Sequence, residues 1–102
     1  MRQAKVYNHG IFAGILVAED DNHFVFNYDI AYKGNPVSLT MPIKQQHYFF
    51  QKFPPFFEGL LPEGMMLDAL LRAEKLDSED YFSQLLCVGK DMVGSVTVEP
   101  IE

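Results

Sequence analysis

The sequence predicts an α+β domain in which two or three helices pack on one side of a small antiparallel or barrel-like sheet. Apolar and polar residues alternate with a period of two through most of the first half of the chain. In the second half, leucines and aromatic residues recur at helical spacing. A short alternating stretch returns near the C-terminus, so we expect strands, then helices, then a final strand.

Three strands are predicted before residue 30. Lys5–Tyr7 and Ile11–Ala18 flank Asn8-His9-Gly10, a short hairpin connection in which Asn and Gly tolerate positive φ. His23–Tyr28 alternates cleanly, with its aromatic residues on one face. Because one face of each strand is apolar, we expect an antiparallel sheet with one side toward water.

Two further strands complete the predicted sheet. From Val37 to Met41, apolar and hydroxyl side chains alternate until Pro42, which cannot donate to a ladder, ends the strand. Gly94–Glu99 alternates in the same way. We expect this last strand to rejoin the sheet.

The first two helices are predicted between residues 54 and 75. Pro54-Pro55 suits a helix start, since proline is tolerated in the first turn. A second helix follows Pro62-Glu63-Gly64 and runs to Lys75, with an apolar stripe of leucines. This stripe is expected to face the core.

A third helix is predicted before residue 89. Asp77 or Ser78 can supply its N-terminal cap, and Gly89 is a natural terminator. The residues predicted to face inward are Phe82, Leu85 and Leu86.

Length and charge limit the possible functions. The 102 residues fit one domain, residues 1–102, and an apolar content of 48% excludes wholesale disorder. The net charge of −6 argues against a protein that binds the phosphate backbone of nucleic acids. The single cysteine cannot form an internal disulfide, and neither a signal peptide nor a membrane-spanning apolar run is apparent. We therefore expect a soluble protein of the cytoplasm.

The acidic surplus lies in the second half of the chain. It is densest around Asp77, Glu79 and Asp80. Such a cluster is typical of a solvated helix face, and it can also steer a protein toward a basic partner. The sequence leaves both interpretations open.

Groups for catalysis or metal binding are sparse. His9, His23 and His47 lie far apart without a cysteine pair, so we expect surface histidines and no metal site. Cys87 is expected to be an inert, packed thiol. Glu58 and Glu63 form a conceivable acid–base pair, although Glu63 is more typical of a helix start. The sequence therefore predicts neither enzymatic activity nor a cofactor.

The segment from Phe56 to Met66 predicts a binding surface. Most of its apolar residues suit the core, but adjacent helical residues such as Met65 and Met66 point about 100° apart. One of the two is therefore expected to face the core and the other the solvent, where a flexible thioether can probe a partner's pocket. We predict Met65 as the inserted side chain. The predicted contact residues are Leu61, Pro62, Glu63, Gly64, Met65 and Met66.

A series of short motifs, taken together, resembles the N-terminal subdomain of the HipA-type serine/threonine kinase toxins. They follow that family's order and cover the chain from residue 6 to about 98. The motifs are Val6-Tyr7-Asn8-x-Gly10 with Gly14-x-Leu16, Phe26-x-Tyr28-Asp29, Pro36-x-Ser38-Leu39-Thr40-Met41-Pro42, Phe56-Phe57-x-Gly59-Leu60-Leu61-Pro62-Glu63-Gly64 and Gly89-x-Asp91-x-x-Gly94-x-Val96.

The resemblance implies a function through binding. The chain stops at Glu102, and it lacks the ATP-binding lysine strand, catalytic loop and metal site of a kinase. A free-standing copy of this subdomain is similar to the HipS-like antitoxins of tripartite HipBST systems. That similarity implies neutralisation of a HipT-like kinase toxin, with a HipB-like DNA-binding protein as the third component.

Two other functions remain open on the sequence. The chain is also compatible with a structural remnant or subunit of a HipA-type kinase that has no inhibitory role. Alternatively, the aromatic cluster at residues 48–57 lines a pocket for a small ligand.

Overall fold

The computed structural model describes residues 2–90 and 94–101. It confirms an α+β fold with a five-stranded sheet that is antiparallel throughout, in the order β4-β3-β2-β1-β5. The strands are β1 (Arg2–Asn8), β2 (Ile11–Asp20), β3 (His23–Tyr28), β4 (His47–Phe50) and β5 (Val96–Pro100). The helices are α1 (Pro55–Glu58), α2 (Gly64–Glu74) and α3 (Tyr81–Val88).

The first hairpin forms where the sequence predicts it. β1 and β2 are joined by His9 (φ 52°) and Gly10 (φ 78°), so both residues of the two-residue turn have positive φ. Asn8, expected in the connection, instead pairs with Ile11 and is buried at the end of β1. The strand thus extends further than its hydrophobic alternation indicates.

One face of the sheet carries the core. Leu16 and Phe26 from adjacent strands are fully buried there, against Phe57 of α1 and Phe82 of α3. The opposite face is not wholly polar, because Val17 and Val25, which pair with each other across β2 and β3, are also buried.

The predicted strand at Val37–Met41 is wrong. The segment forms one isolated bridge between Ser38 and Met41, closed as a tight turn by the Met41 N–H, which donates to the Ser38 carbonyl (3.0 Å). The Tyr28 hydroxyl accepts from the Val37 N–H (2.9 Å) and donates to the Met41 carbonyl (2.6 Å). Both arms of the turn are therefore held by one side chain of β3 instead of by a ladder.

The fourth strand of the sheet lies at a position where none was predicted. β4 covers only His47–Phe50 and pairs with β3. Four residues are too few for a period of two to stand out, and the neighbouring aromatics hide the alternation. Its core-facing residues, Tyr48 and Phe50, are half-buried against the hydrophobic core.

The helices begin close to their predicted positions. α1 begins at Pro55, with proline in its first turn. The predicted cap of α3 is wrong: Asp80 caps it by accepting from the Ser83 N–H (3.2 Å), whereas Asp77 accepts from Glu79 in the preceding turn (2.8 Å). None of the helices in the described part of the chain has the length and apolarity to cross a membrane.

Candidate partner-binding surface

The predicted contact segment forms the corner between α1 and α2. After α1, the Leu61 N–H donates to the Glu58 carbonyl (3.1 Å), which continues the helical turn up to Pro62. Glu63 is extended, and Gly64 has a φ of +60°, a conformation that is costly for a residue with a Cβ. The extended Glu63 and the left-handed Gly64 therefore interrupt the helical backbone between α1 and α2.

Both methionines of the corner are exposed. Met65 is 87% exposed and Met66 74%, so the expectation that one of them faces the core is wrong. The inward side of α2 is taken by Leu67, Leu70 and Leu71, which are half-buried. Within the described residues, both thioethers of the first turn are thus largely uncovered.

The burial of the six predicted contact residues changes along the segment. Leu61 and Pro62 are half-buried, and Leu61 packs against the core cluster. Glu63, Gly64, Met65 and Met66 are exposed. The segment thus has an anchored end and a free end, and the free end carries the two large apolar side chains.

Helix α2 as a whole is weakly attached to the molecule. None of its eleven residues is buried, and its N-terminus has no side-chain cap. Its leucine stripe was predicted from the sequence to face the core, but the stripe reaches only partial burial. The helix therefore presents apolar surface to the solvent, whereas α3 buries Phe82 and Leu85.

A second feature is an acidic cleft of about 690 Å³. Six carboxylates and only two cationic side chains line it, together with aromatic rings. Its charged residues are Arg2, Asp20, Asp21, Lys52, Glu58, Asp77, Glu79 and Asp80. The sequence placed the acidic surplus near residues 77–80, but it did not show that Asp20 and Asp21 of the first half join it.

Arg2 is held at the wall of this cleft. Its guanidinium donates to the Ser83 hydroxyl (2.7 Å) and pairs with Asp80 (3.1 Å). It also lies 4.8 Å from the centre of the Phe82 ring. These contacts join the start of β1 to the first turn of α3.

Two carboxyl groups of the cleft have lowered pKa values. Burial raises the pKa of Asp80, but hydrogen bonds from Ser83 and Arg2 lower it by more, so the net shift is downward. The backbone N–H of Asn22 and then the ring of His23 lower the pKa of Asp20. Both groups are therefore stabilised in their charged form.

Histidines and the single cysteine are the other candidate reactive groups of the described residues. His9 and His23 are exposed, as predicted. No group of three or more metal-binding side chains occurs among residues 2–90 and 94–101. Cys87 is exposed, so the prediction of a packed thiol is wrong, and partial burial followed by the charge of Glu74 raises its pKa. A raised pKa keeps the thiol protonated and unreactive at neutral pH.

The aromatic cluster at residues 48–57 contributes rings to the hydrophobic core. Phe53 packs on Phe24 with ring centres 5.4 Å apart, and Phe57 lies 5.9 Å from Phe26. Phe53 also lines the acidic cleft, whereas Phe57 does not. These rings pack on one another as part of the core, in the region where the sequence left open a pocket for a small ligand.

Comparison with known proteins gives a consistent result. The family model described as HipA N-terminal domain matches residues 4–99. An uncharacterised protein of Haemophilus influenzae is 35% identical over 99 residues, which cover 97% of this chain and 92% of that protein. A solved structure described as the N-terminal domain of HipA toxin superimposes with a TM-score of 0.79 and 33% identity. That alignment covers 100% of this chain and 94% of the other.

Proposed function

Because the chain belongs to the HipA N-terminal domain family, we propose that it is an antitoxin that binds a HipT-like serine/threonine kinase toxin. It neutralises the kinase by docking where a fused N-terminal subdomain would sit and obstructing the active site. The proposal includes a ternary complex with a HipB-like DNA-binding protein. In that complex this acidic chain contacts the kinase, and it makes no direct contact with nucleic acid.

The exposed corner at the start of α2 carries this proposal. Two adjacent methionines stand 87% and 74% exposed on a helix that buries none of its own residues. Large apolar side chains exposed together mark protein interaction sites. The family assignment supports a kinase partner, since the matching family and solved structure are the N-terminal domain of a HipA toxin.

Occlusion suits the chemistry of this surface. Thioether side chains are flexible and polarisable, so they fit an irregular pocket and contribute through packing. The anchored end at Leu61 and Pro62 limits the motion of the corner, which lowers the entropy lost on binding. We infer that Met65 enters a pocket of the kinase and that the neighbouring residues of the corner form the rim.

The test measures binding and neutralisation by Met65→Asp. A charge at a buried interface position should weaken binding to the kinase by about 2 kcal/mol, or roughly 30-fold in Kd. Ile30→Asp is the matched control, because Ile30 is also apolar and 87% exposed but lies outside the corner. Calorimetric titration against the HipT-like kinase of the same organism gives the Kd values. Growth rescue on co-expression reports neutralisation.

The two assays separate the alternatives. Wild-type protein that binds and rescues growth, with rescue lost only in Met65→Asp, supports the antitoxin and its surface. Equal binding by both variants shows that a different surface is used. Binding without rescue favours a structural subunit, and failure of the wild type to bind overturns the proposal.

A further inference from the structure

The two edges of the sheet differ in how their backbone groups are satisfied. On the β5 edge, the Val98 N–H donates to the carbonyl of Gly89 (3.0 Å), which follows α3. Pro100 of the same strand has no N–H to offer. The β5 edge is therefore occupied at its centre and blunted at its end.

The β4 edge is short and is less protected than the β5 edge within the described residues. The Tyr28 N–H donates to the Gln46 carbonyl (2.9 Å), and the ladder then continues through the pairs Tyr28–Gln46, Phe26–Tyr48 and Phe24–Phe50. Since antiparallel ladders alternate, the backbone groups of His47 and Phe49 point away from β3. The His47 carbonyl accepts from the Gln45 side chain (2.6 Å). Within residues 2–90 and 94–101, no partner reaches the His47 N–H or either backbone group of Phe49.

The side chains of β4 do not discourage pairing. Natural sheet edges are commonly blunted by lysine, proline or an inward charge. β4 has the sequence His-Tyr-Phe-Phe, with none of these, and Phe49 is 77% exposed on the face opposite the core. An open edge with an apolar side chain at its centre is the kind of site that accepts an added strand.

The charges beside β4 indicate the kind of segment that fits. Lys44 and Lys52 lie just outside its two ends, are exposed, and make no ion pair within the described residues. If two copies paired antiparallel about Tyr48, Lys44 of one copy would lie toward Lys52 of the other, which disfavours self-pairing. A segment with a carboxylate at the end beside Lys44 instead meets opposite charge there, whereas Lys52 at the other end lies at the wall of the acidic cleft.

We propose that the β4 edge accepts an extended segment of the kinase partner as a sixth strand of the sheet. The segment is apolar where it meets Phe49 and acidic at the end that meets Lys44. The inference rests on the proposed function for the identity of the partner. It adds a backbone-mediated contact that is separate in sequence from the methionine corner.

Amide hydrogen exchange by NMR tests the added strand. In the free protein, the outward amides of His47 and Phe49 exchange fast. In the complex with the HipT-like kinase they become bonded, and their exchange slows by at least about tenfold. The inward amides of Tyr48 and Phe50 are the internal control, because they are bonded to β3 in both states.

Two variants at position 49 separate the contribution of the backbone N–H to binding from that of the side chain. Phe49→Pro removes the outward N–H and keeps the ladder to β3, whereas Phe49→Ala removes the ring and keeps the N–H. If a strand is added, Phe49→Pro weakens binding about tenfold more than Phe49→Ala, the size of one lost hydrogen bond. Should the proline variant fail to fold, the exchange rates of the wild type decide the matter.

The outcomes distinguish this inference from the proposed function. A complex in which the amides of His47 and Phe49 stay unprotected overturns the added strand and leaves the antitoxin in place. The absence of any complex overturns both. A third outcome is that these amides are already protected in the free protein and that sedimentation gives twice the monomer mass. That outcome assigns the edge to a second copy and overturns the inference.

Discussion

Helices α2 and α3 are both amphipathic, yet they have different positions in the molecule. α3 has eight residues and buries Phe82, Gln84 and Leu85. α2 has eleven residues and buries none. The difference shows that an apolar stripe indicates which side of a helix avoids water and leaves open what covers that side.

Polar contacts, in addition to packing, hold α3 in place. The Gln84 amide donates to the carbonyls of Asp77 (3.0 Å) and Ser78 (3.2 Å), which ties the helix to the turn before it. Asp80 caps its N-terminus, and Arg2 links that cap to β1. These contacts place α3 on the sheet in one orientation.

Helix α2 has no side-chain contacts of this kind within the described part of the chain. Its N-cap residue, Glu63, makes no side-chain bond to the helix. Its C-terminus is closed by the backbone alone, where Lys75 is left-handed with a φ of 54° and the Leu76 N–H donates to the Leu71 carbonyl (3.0 Å). A helix of this length is marginal in water unless tertiary packing supports it. Three leucines of α2 are half-buried, but none of them is among the side chains that pack against the core cluster within the described residues. A bound partner would supply packing that this helix lacks.

The largest expected contrast comes from one substitution made in each helix. Leu85→Ala in α3 removes a fully buried side chain and should lower the free energy of unfolding by about 3 kcal/mol. Leu70→Ala in α2 removes a half-buried one and should lower it by about 1 kcal/mol. Urea unfolding of both variants measures the two losses. Equal losses would show that α2 is as deeply packed in solution as α3.

A smaller contrast is expected at the helix N-termini. Asp80→Ala removes a cap and should lower the free energy of unfolding by about 1 kcal/mol. Glu63→Ala removes no cap bond and should change it by less than about 0.5 kcal/mol. Asp80→Asn keeps a capping oxygen but loses the charge facing Arg2, so it separates the cap from the ion pair. A cost at Glu63 equal to that at Asp80 would show that the two N-termini do not differ.

The hydrophobic period was enough to predict β1, β2, β3 and β5, because each buries one face against a common core. It failed at residues 37–41, where alternation occurs without a neighbouring strand. There the hydroxyl of Tyr28, a residue about ten positions earlier, determines the conformation. A contact between residues distant in sequence leaves no periodic pattern.

The candidate site could be predicted only in part for a similar reason. The Pro-Glu-Gly corner and its methionines are visible in the sequence, but their joint exposure depends on how far α2 projects beyond the core. The acidic cleft depends on the hairpin turn at Asp20 and Asp21 meeting the start of α3. The open β4 edge depends on strand order, which local sequence does not encode.

The smallest expected effect is the pH dependence of the α3 cap. Hydrogen bonds from Ser83 and Arg2 outweigh burial and hold the pKa of Asp80 below its ordinary value of 3.8. A carboxyl with a lowered pKa in the folded state stabilises the protein above its unfolded pKa, and this contribution is lost as the pH falls through the folded pKa. The side chain of Asp80 is 36% exposed, so solvent screens the effect to less than about 1 kcal/mol.

The comparison of wild type with Asp80→Asn isolates this effect, because asparagine does not titrate. The difference between their free energies of unfolding should be constant from pH 7 to about 5 and shrink toward pH 3. Asp20 also has a lowered pKa, but it is present in both proteins and cancels in the difference. Urea unfolding at each pH supplies the values. If the difference in free energy of unfolding is unchanged at pH 3, Asp80 stabilises α3 as a capping group and not through its charge. Only packing and capping would then distinguish α3 from α2.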